Sequence, residues 1–344
     1  MQHAEVIKAE EERGAAVMPP RSISLQAVQD TVADELKEFQ RYFREAMRSR
    51  VALLDKVTQY VLRQKGKRIR PTIVLLSAKV CGGITDVSYR AAALVELLHT
   101  ATLVHDDVVD EAEQRRGVFS INALWKNKIA VLLGDFLLSR GLLLSLEHND
   151  YKLLHILSDS VRRMSEGELL QIEKTRRLDI DEDTYFRIIS DKTASLIAAC
   201  TSCGAYSATK DPEAIDRMHT LGENLGLAFQ IRDDLFDYGA VDVGKPIGID
   251  LQEKKLTLPL IYALRSTTPA GRKPIMKIVR KKRKSRDDLR TVRQFVTETG
   301  GLDYARAKMN ACVDEAREIL LTFPPTPARD AMMDLIDFVV LRQQ

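Results

Sequence analysis

Apolar residues recur at helical spacing along almost the whole chain. From Ser24 to Arg50 they fall three and four positions apart, at Leu25, Val28, Val32, Leu36, Phe39 and Phe43, which predicts a long amphipathic helix with one face in a core. The stretch from Ala91 to Val104 is apolar in nearly every direction and predicts a mostly buried helix. The last predicted helix, Ala328 to Arg342, carries Met332, Leu335, Ile336 and Val339 as its buried face. No segment alternates with period two over any length, and glycines and prolines stand where helices would end: Gly82-Gly83, Gly117, Asp211-Pro212, Gly239, Gly300-Gly301 and Pro324-Pro325-Thr326-Pro327. Pro327 is suited to open the final helix, where its missing N–H costs nothing. The pattern predicts a single all-α domain over residues 23–344, a large helical bundle whose site lies in the core between facing helices. Residues 1–22 are charged, lack an apolar centre and include Pro19-Pro20, so they read as a flexible tail and not as a secretory signal.

Composition narrows the classes. A length of 344 residues alone would permit two domains, and a hydrophobic content of 45% can fill a large core. Net charge is +3, from 52 Lys and Arg against 49 Asp and Glu, so nothing global points to nucleic acid. The four cysteines, Cys81, Cys200, Cys203 and Cys312, are too few and scattered for a disulfide framework and suit a reducing cytoplasm. Cys200 and Cys203 form a CxxC inside a small-residue helical stretch with no second ligand pair nearby, which favours buried thiols over zinc or redox chemistry. No uninterrupted apolar run is long enough to predict a membrane span.

Local charge carries the chemistry. Asp106, Asp107 and Asp110 follow the buried helix directly, and at about 100° per residue they share roughly a 100° arc of one helix face. Asp233, Asp234 and Asp237 repeat the same spacing at the end of another apolar helix. Either cluster alone could be a solvated helix end. Two with identical spacing after buried helices point to hard-cation binding, and to Mg²⁺, which binds through one or two carboxylates plus substrate phosphates.

Cations punctuate the chain around these clusters. They occur at Gly66-Lys67-Arg68-Ile69-Arg70-Pro71, at Arg115-Arg116-Gly117, at Asp191-Lys192-Thr193-Ala194, and at Lys245, Lys254 and Lys255. Each could be a solvated turn; together they outline a site for a substrate with several phosphate charges, such as a diphosphate. Gly222 and Gly226 project onto the face of Asp233, either to leave space there or to let two helices approach closely. Leu98 and Thr102 lie nearly on the face of Asp106, giving polar mouths above apolar walls. The run Arg280 to Arg286 is the densest charge block; it is first a solvated face, with transient contact to anionic lipid headgroups as the alternative.

The segments KGKRIRP, ELLHTATLVHDDVVDEAEQRRG, DKTA, LAFQIRDDLFD and GKPIGIDLQEKKLTLPLI, in that order, resemble the trans-polyprenyl diphosphate synthases of medium- and long-chain type. The likeness runs from about Gly66 to Leu260. It implies the isoprenoid synthase fold, a helical bundle around a central cavity. It also implies prenyl transfer: head-to-tail, stepwise condensation of an allylic diphosphate with isopentenyl diphosphate. In that family the counterparts of Asp106, Asp107 and Asp110, and of Asp233, Asp234 and Asp237, hold up to three Mg²⁺ ions, with Mn²⁺ able to substitute. The resemblance assigns catalysis to Asp106, Asp107, Asp110, Asp233, Asp234 and Lys192. It assigns the allylic diphosphate to Arg115, Lys192, Thr193, Gln230, Lys245 and Lys255, and isopentenyl diphosphate to Lys67, Arg70, His99 and Arg116. Lys65 and Pro246 depart from the family pattern, which commonly has glycine and aspartate there; Asp250 is the nearby candidate to order metal-bound water. A homodimer is implied by the resemblance alone.

Product length follows from the same comparison. Family members that stop early carry bulky aromatics where this chain has Ala101 and Thr102, so the expected tunnel stays open past a farnesyl-sized product, with Thr102 lining it and Phe136 or Leu137 as candidate floor. The expected product is a medium- to long-chain all-trans polyprenyl diphosphate, a precursor of a quinone side chain. Rival readings are a shorter-chain farnesyl or geranylgeranyl synthase, a class I terpene cyclase, which would not need Lys67, Arg70 and Arg116, and a non-catalytic subunit, which would be expected to lose one aspartate motif. A nucleic-acid binder resting on Arg280 to Arg286 would lack stacking aromatics.

Overall fold

The computed structural model describes residues 24–64, 66–115, 117–239 and 248–341. Lys65, Arg116, Lys245, Pro246, the tail 1–22 and the side chain of Arg115 lie outside the described residues. Ser24 opens helix α1 (Leu25–Asp30) by accepting from the Ala27 N–H at 3.1 Å. The long helix expected over Ser24 to Arg50 is interrupted at Thr31-Val32, where Val32 takes φ −128°. Two successive β-branched residues are poor helix continuers, and α2 (Ala33–Ala46) starts afresh. The apolar stripe survives, since Val28, Val32, Leu36 and Phe39 are all buried.

Helices α3 (Ala52–Arg63), α4 (Ile69–Val80) and α5 (Asp86–Val109) follow. Both α4 and α5 are buried around most of their circumference, which explains why their apolar residues define no single face. After α5 a two-residue hairpin pairs β1 (Gln114–Arg115) with β2 (Val118–Phe119), its Gly117 at φ +77°, a left-handed conformation that favours glycine. Then come α6 (Ile121–Glu147), α7 (Tyr151–Arg177), α8 (Glu182–Ile189), a five-residue π turn (Ser190–Ala194), α9 (Ser195–Ala208) and α10 (Pro212–Asp237). The remainder comprises α11 (Ile249–Gln252), α12 (Leu258–Arg265), α13 (Pro269–Arg280), α14 (Arg286–Glu298), α15 (Gly301–Leu321) and α16 (Pro327–Leu341), which Pro327 opens as expected.

The main core cluster draws on α1, α2, α4, α5, α9, α10, α15 and α16. A second joins Met47, Val57, Leu97, Ala101, Val104, Leu133 and Leu137 beneath α6. Helices α9 and α10 approach closely because their contact is built of small residues. A Cβ on Gly222 would run into Thr201 and Ala198, and one on Gly226 would stand 2.5 Å from the Ala194 Cα. The two glycines therefore serve close packing and leave no space for substrate. Cys200 and Cys203 are buried free thiols on α9, and burial pushes Cys200 up to about 12, as expected of packing residues.

Helix α6 is long and apolar enough to cross a membrane by composition, although its apolar residues form no uninterrupted run. One face packs on α5 through Leu133 and Leu137, and Arg140 donates to the Ala46 carbonyl at 2.8 Å, which binds the helix into the bundle. The other face leaves Val131, Leu132, Leu142, Leu143 and Leu146 exposed.

Candidate active site

Both aspartate trios fall in the last turn of a helix: Asp106, Asp107 and Asp110 at the end of α5, and Asp233, Asp234 and Asp237 at the end of α10, with no basic residue in either last turn. A helix C-terminus already carries about half a negative charge, so each carboxylate there is unfavourable by roughly 0.3–1 kcal/mol. The trios are also not a single face. In each, the second aspartate turns inward, Asp107 and Asp234 both being 4% exposed, while Asp106 and Asp110 are exposed and Asp233 and Asp237 half-buried at the rim.

The second trio is the more enclosed. Tyr185 donates to Asp234 at 2.6 Å and Gln230 donates to its other oxygen at 2.9 Å. Burial, with Asp250 and Asp233 close by, pushes the Asp234 carboxyl up to about 7. Burial and then Asp237 push Asp250 up to about 6. Asp237 accepts the backbone N–H groups of Gly248, Ile249 and Asp250 at 3.0, 2.8 and 3.2 Å, so it also caps α11. Carboxylates penalised by burial, by helix dipoles and by one another are a donor set that fits a divalent cation. Among the described residues no three carboxylates already converge at metal-ligand spacing. That suits an ion taking its remaining ligands from substrate phosphates.

A cavity of about 770 Å³ gathers Lys67, Arg70, His99, Thr102, Asp106, Lys192 and Thr193 on its wall, while Gln230, Lys255 and the second trio do not line it. Lys67 and Arg70 flank the start of α4, where Arg68 takes φ +49° at the N-cap and the helix N–H groups add to the pull on an anion. His99, 7% exposed, comes from the buried middle of α5. Lys192 and Thr193 come from the π turn, a local irregularity that frequently marks functional sites. Lys192 pairs with Glu168 and donates to Gln171 at 3.1 Å. Thr193 donates to Gln230 at 2.9 Å, and Gln230 reaches Asp234, which ties the cavity wall to the second trio. Lys255 pairs with Glu253 at 2.6 Å and lies 3.9 Å from Asp250.

The chain-length residues separate. Thr102 is on the wall, whereas Ala101 is fully buried against the second core cluster, about 100° around α5. Phe136 is half-buried in that cluster and Leu137 fully buried; neither lines this cavity, because α6 packs on the Ala101 side of α5. The apolar wall includes instead Phe39 and Phe43, stacked at 5.6 Å, with Val61 and Leu62 of α3.

Several site residues escaped the sequence reading. Tyr185, Glu168 and Gln171 have no distinctive spacing, since their partners lie on other helices. A second group fixes the π turn. Arg163 donates to Asp191 at 2.8 Å, to Ser190 at 2.7 Å and to Glu223 at 3.1 Å. Gly167 lets α7 lie against the turn, because a Cβ there would stand 2.8 Å from the Lys192 nitrogen. A lone glycine amid strong helix formers was the available signal.

The family model described as Polyprenyl synthetase matches residues 51–296. The chain is 35% identical over 324 residues to the octaprenyl diphosphate synthase of Escherichia coli, covering 94% of this chain and 100% of that protein. Among solved structures, a decaprenyl diphosphate synthase from Rhodobacter capsulatus superposes with TM-score 0.87 at 35% identity, covering 93% and 100% of the two chains. A polyprenyl synthase from Caulobacter crescentus, complexed with calcium and isoprenyl diphosphate, gives 0.83 at 34%, covering 95% and 100%. An all-α bundle with two acidic helix ends and a basic-walled cavity that reaches the first of them, together with these likenesses, decides the class: the chain belongs to the polyprenyl synthetase family. Its activity is prenyl transfer, and it is a trans-polyprenyl diphosphate synthase. The family binds divalent metal and isoprenyl diphosphates.

Proposed function

We propose that this synthase, through one domain spanning residues 23–344, extends an allylic diphosphate with isopentenyl diphosphate to a medium- to long-chain all-trans product, a quinone side-chain precursor, using Mg²⁺. The observation that carries this reading is the single cavity in which Asp106, Lys192, Lys67 and Arg70 share a wall with Thr102, Phe39 and Phe43. The octaprenyl and decaprenyl products named for its relatives agree with it. Asp106, Asp107, Asp110, Asp233, Asp234 and Asp237 would hold Mg²⁺, which when bound would stabilise charge on the allylic diphosphate as its carbon–oxygen bond breaks. Lys192, Thr193, Gln230 and Lys255 orient that diphosphate, a role proposed also for Arg115 and Lys245. Lys67, Arg70, His99 and Arg116 hold isopentenyl diphosphate so that its alkene faces the allylic carbon. The alkene pair forms the new carbon–carbon bond, the departing diphosphate takes the bond pair, and a proton is lost from the condensed chain to it.

Incubation with Mg²⁺, isopentenyl diphosphate and separate allylic primers, with product masses read out, tests the reading. No elongation with any primer, or elongation undiminished by a chelator, would refute it. Thr102→Phe is expected to shorten the main product by at least one isoprene unit, because the ring would stand in the cavity. An unchanged length distribution removes Thr102 from the tunnel.

The exposed stripe on α6 fits a second copy of the chain. Five large aliphatic side chains on one helix form a patch of the kind that marks protein contacts, and we assign it to a homodimer. Leu132→Glu with Leu143→Glu is expected to give monomers in sedimentation velocity; an unaltered mass would relocate the interface. The free cysteines fit a reducing compartment such as the cytoplasm.

A further inference from the structure

Charge is distributed very unevenly over this chain. Residues 272–293 carry eleven Lys or Arg against two Asp, a net +9, so the remainder of a +3 chain is net −6. The structure makes this segment a surface. Helix α13 buries Ile275 and Val279 and turns Lys273, Lys277 and Arg280 outward. The following loop exposes Lys282 and Arg283, and α14 exposes Arg286, Arg290 and Arg293. Among the described residues the carboxylate partners on this face are Asp288 for Lys281 at 2.6 Å and Asp287 for Arg290 at 2.9 Å. Lys277, Arg280, Lys282, Arg283 and Arg286 face solvent with no carboxylate partner among the described residues.

The surface is joined to the second aspartate trio. A cleft of about 370 Å³ has Asp237, Tyr238 and Gly248 on one side and Arg286, Arg290 and Arg293 on the other. Gln252 of α11, the helix that Asp237 caps, makes two hydrogen bonds to the Lys284 backbone at 3.0 and 3.3 Å. Arg293 donates to the Gly239 carbonyl at 3.2 Å.

We propose that the cationic face of α13 and α14 docks the synthase on an anionic lipid bilayer, beside the site where the diphosphate end of the product is held. The charge complement is direct, since clusters of four to eight Lys and Arg bind acidic lipid surfaces. Residues 272–293 contain no aromatic side chain, so the stacking platform that single-stranded nucleic acid needs is missing. The use of such docking rests on the long-chain product proposed above, whose apolar tail has to pass from protein to lipid.

The test is sedimentation of the full chain with vesicles of phosphatidylcholine alone or with about one-third phosphatidylglycerol. The expected result is binding to the acidic vesicles only, and its loss in about 1 M salt, where charge is screened over about 3 Å. A variant with K277E, R280E, K282E and R283E is expected to lose about tenfold or more of that binding, while its prenyl transfer in detergent matches wild type. Equal binding to neutral vesicles, a variant that binds like wild type, or retention of single-stranded RNA through this face without retention of vesicles would each overturn the proposal. Should the variant not fold, the lipid and salt dependence of the wild type decides alone. Prenyl transfer absent from wild type in detergent would refute the proposed product, and vesicle binding is read separately from it.

Discussion

Asp106→Ala is expected to lower kcat/KM by roughly 10²–10³, the usual consequence of removing one preorganised group that counters charge in a transition state. Asp106 is the member of the first trio that is both exposed and on the cavity wall. Its loss should leave circular dichroism and melting almost unaltered while raising the Mg²⁺ concentration needed for half-maximal rate. That combination separates it from Asp107, whose burial makes any substitution a test of folding as well. Steady-state kinetics across a Mg²⁺ series decides the matter. A rate within threefold of wild type at every concentration would exclude Asp106 from holding the ion.

Gly167→Ala is the second large effect, and it acts from outside the cavity. The new methyl would stand 2.8 Å from the Lys192 nitrogen and 2.9 Å from the Asp191 Cβ, neither of which is the far end of a flexible side chain. Overpacking of this kind costs about 1–3 kcal/mol unless the neighbour moves. The neighbour here is the π turn that aims Lys192 and Thr193, and a displacement of about 1 Å in a positioning element can cost on the order of 10²-fold in rate. The expected outcome is a loss of about tenfold to a hundredfold in kcat/KM, concentrated in the allylic substrate, measured well below the melting point. Wild-type kinetics for both substrates would show that the turn tolerates the shift.

Helical periodicity made the bundle legible, and repetition made the acidic helix ends legible, because both signals are local in sequence. What stayed hidden depends on contacts between distant segments. The break at Thr31-Val32 lies inside an unbroken apolar pattern, since burial continues across it while the backbone does not. The ideal-helix projection placed Asp106, Asp107 and Asp110 together, whereas the packing of α5 sends Asp107 inside. Gly222 and Gly226 were ambiguous until their neighbours on α9 and the π turn were known. Phe136 and Leu137 were candidate floor by their place on the helix after the first motif, yet the side of α5 that α6 covers is set by Leu133, Leu137 and Ala101. Tyr185 carries no sequence signal at all, because its role is defined only by Asp234, which lies on another helix.

One consequence of placing six acidic side chains at the ends of α5 and α10 concerns folding as much as catalysis. The ligand-free protein keeps repulsion that its own backbone does not relieve, so calorimetry should find the fold tightened when divalent ions and inorganic diphosphate are supplied together. Ligand at a hundredfold excess over its dissociation constant adds about 2.7 kcal/mol. The resting enzyme would then be the looser form, and substrate would complete its architecture.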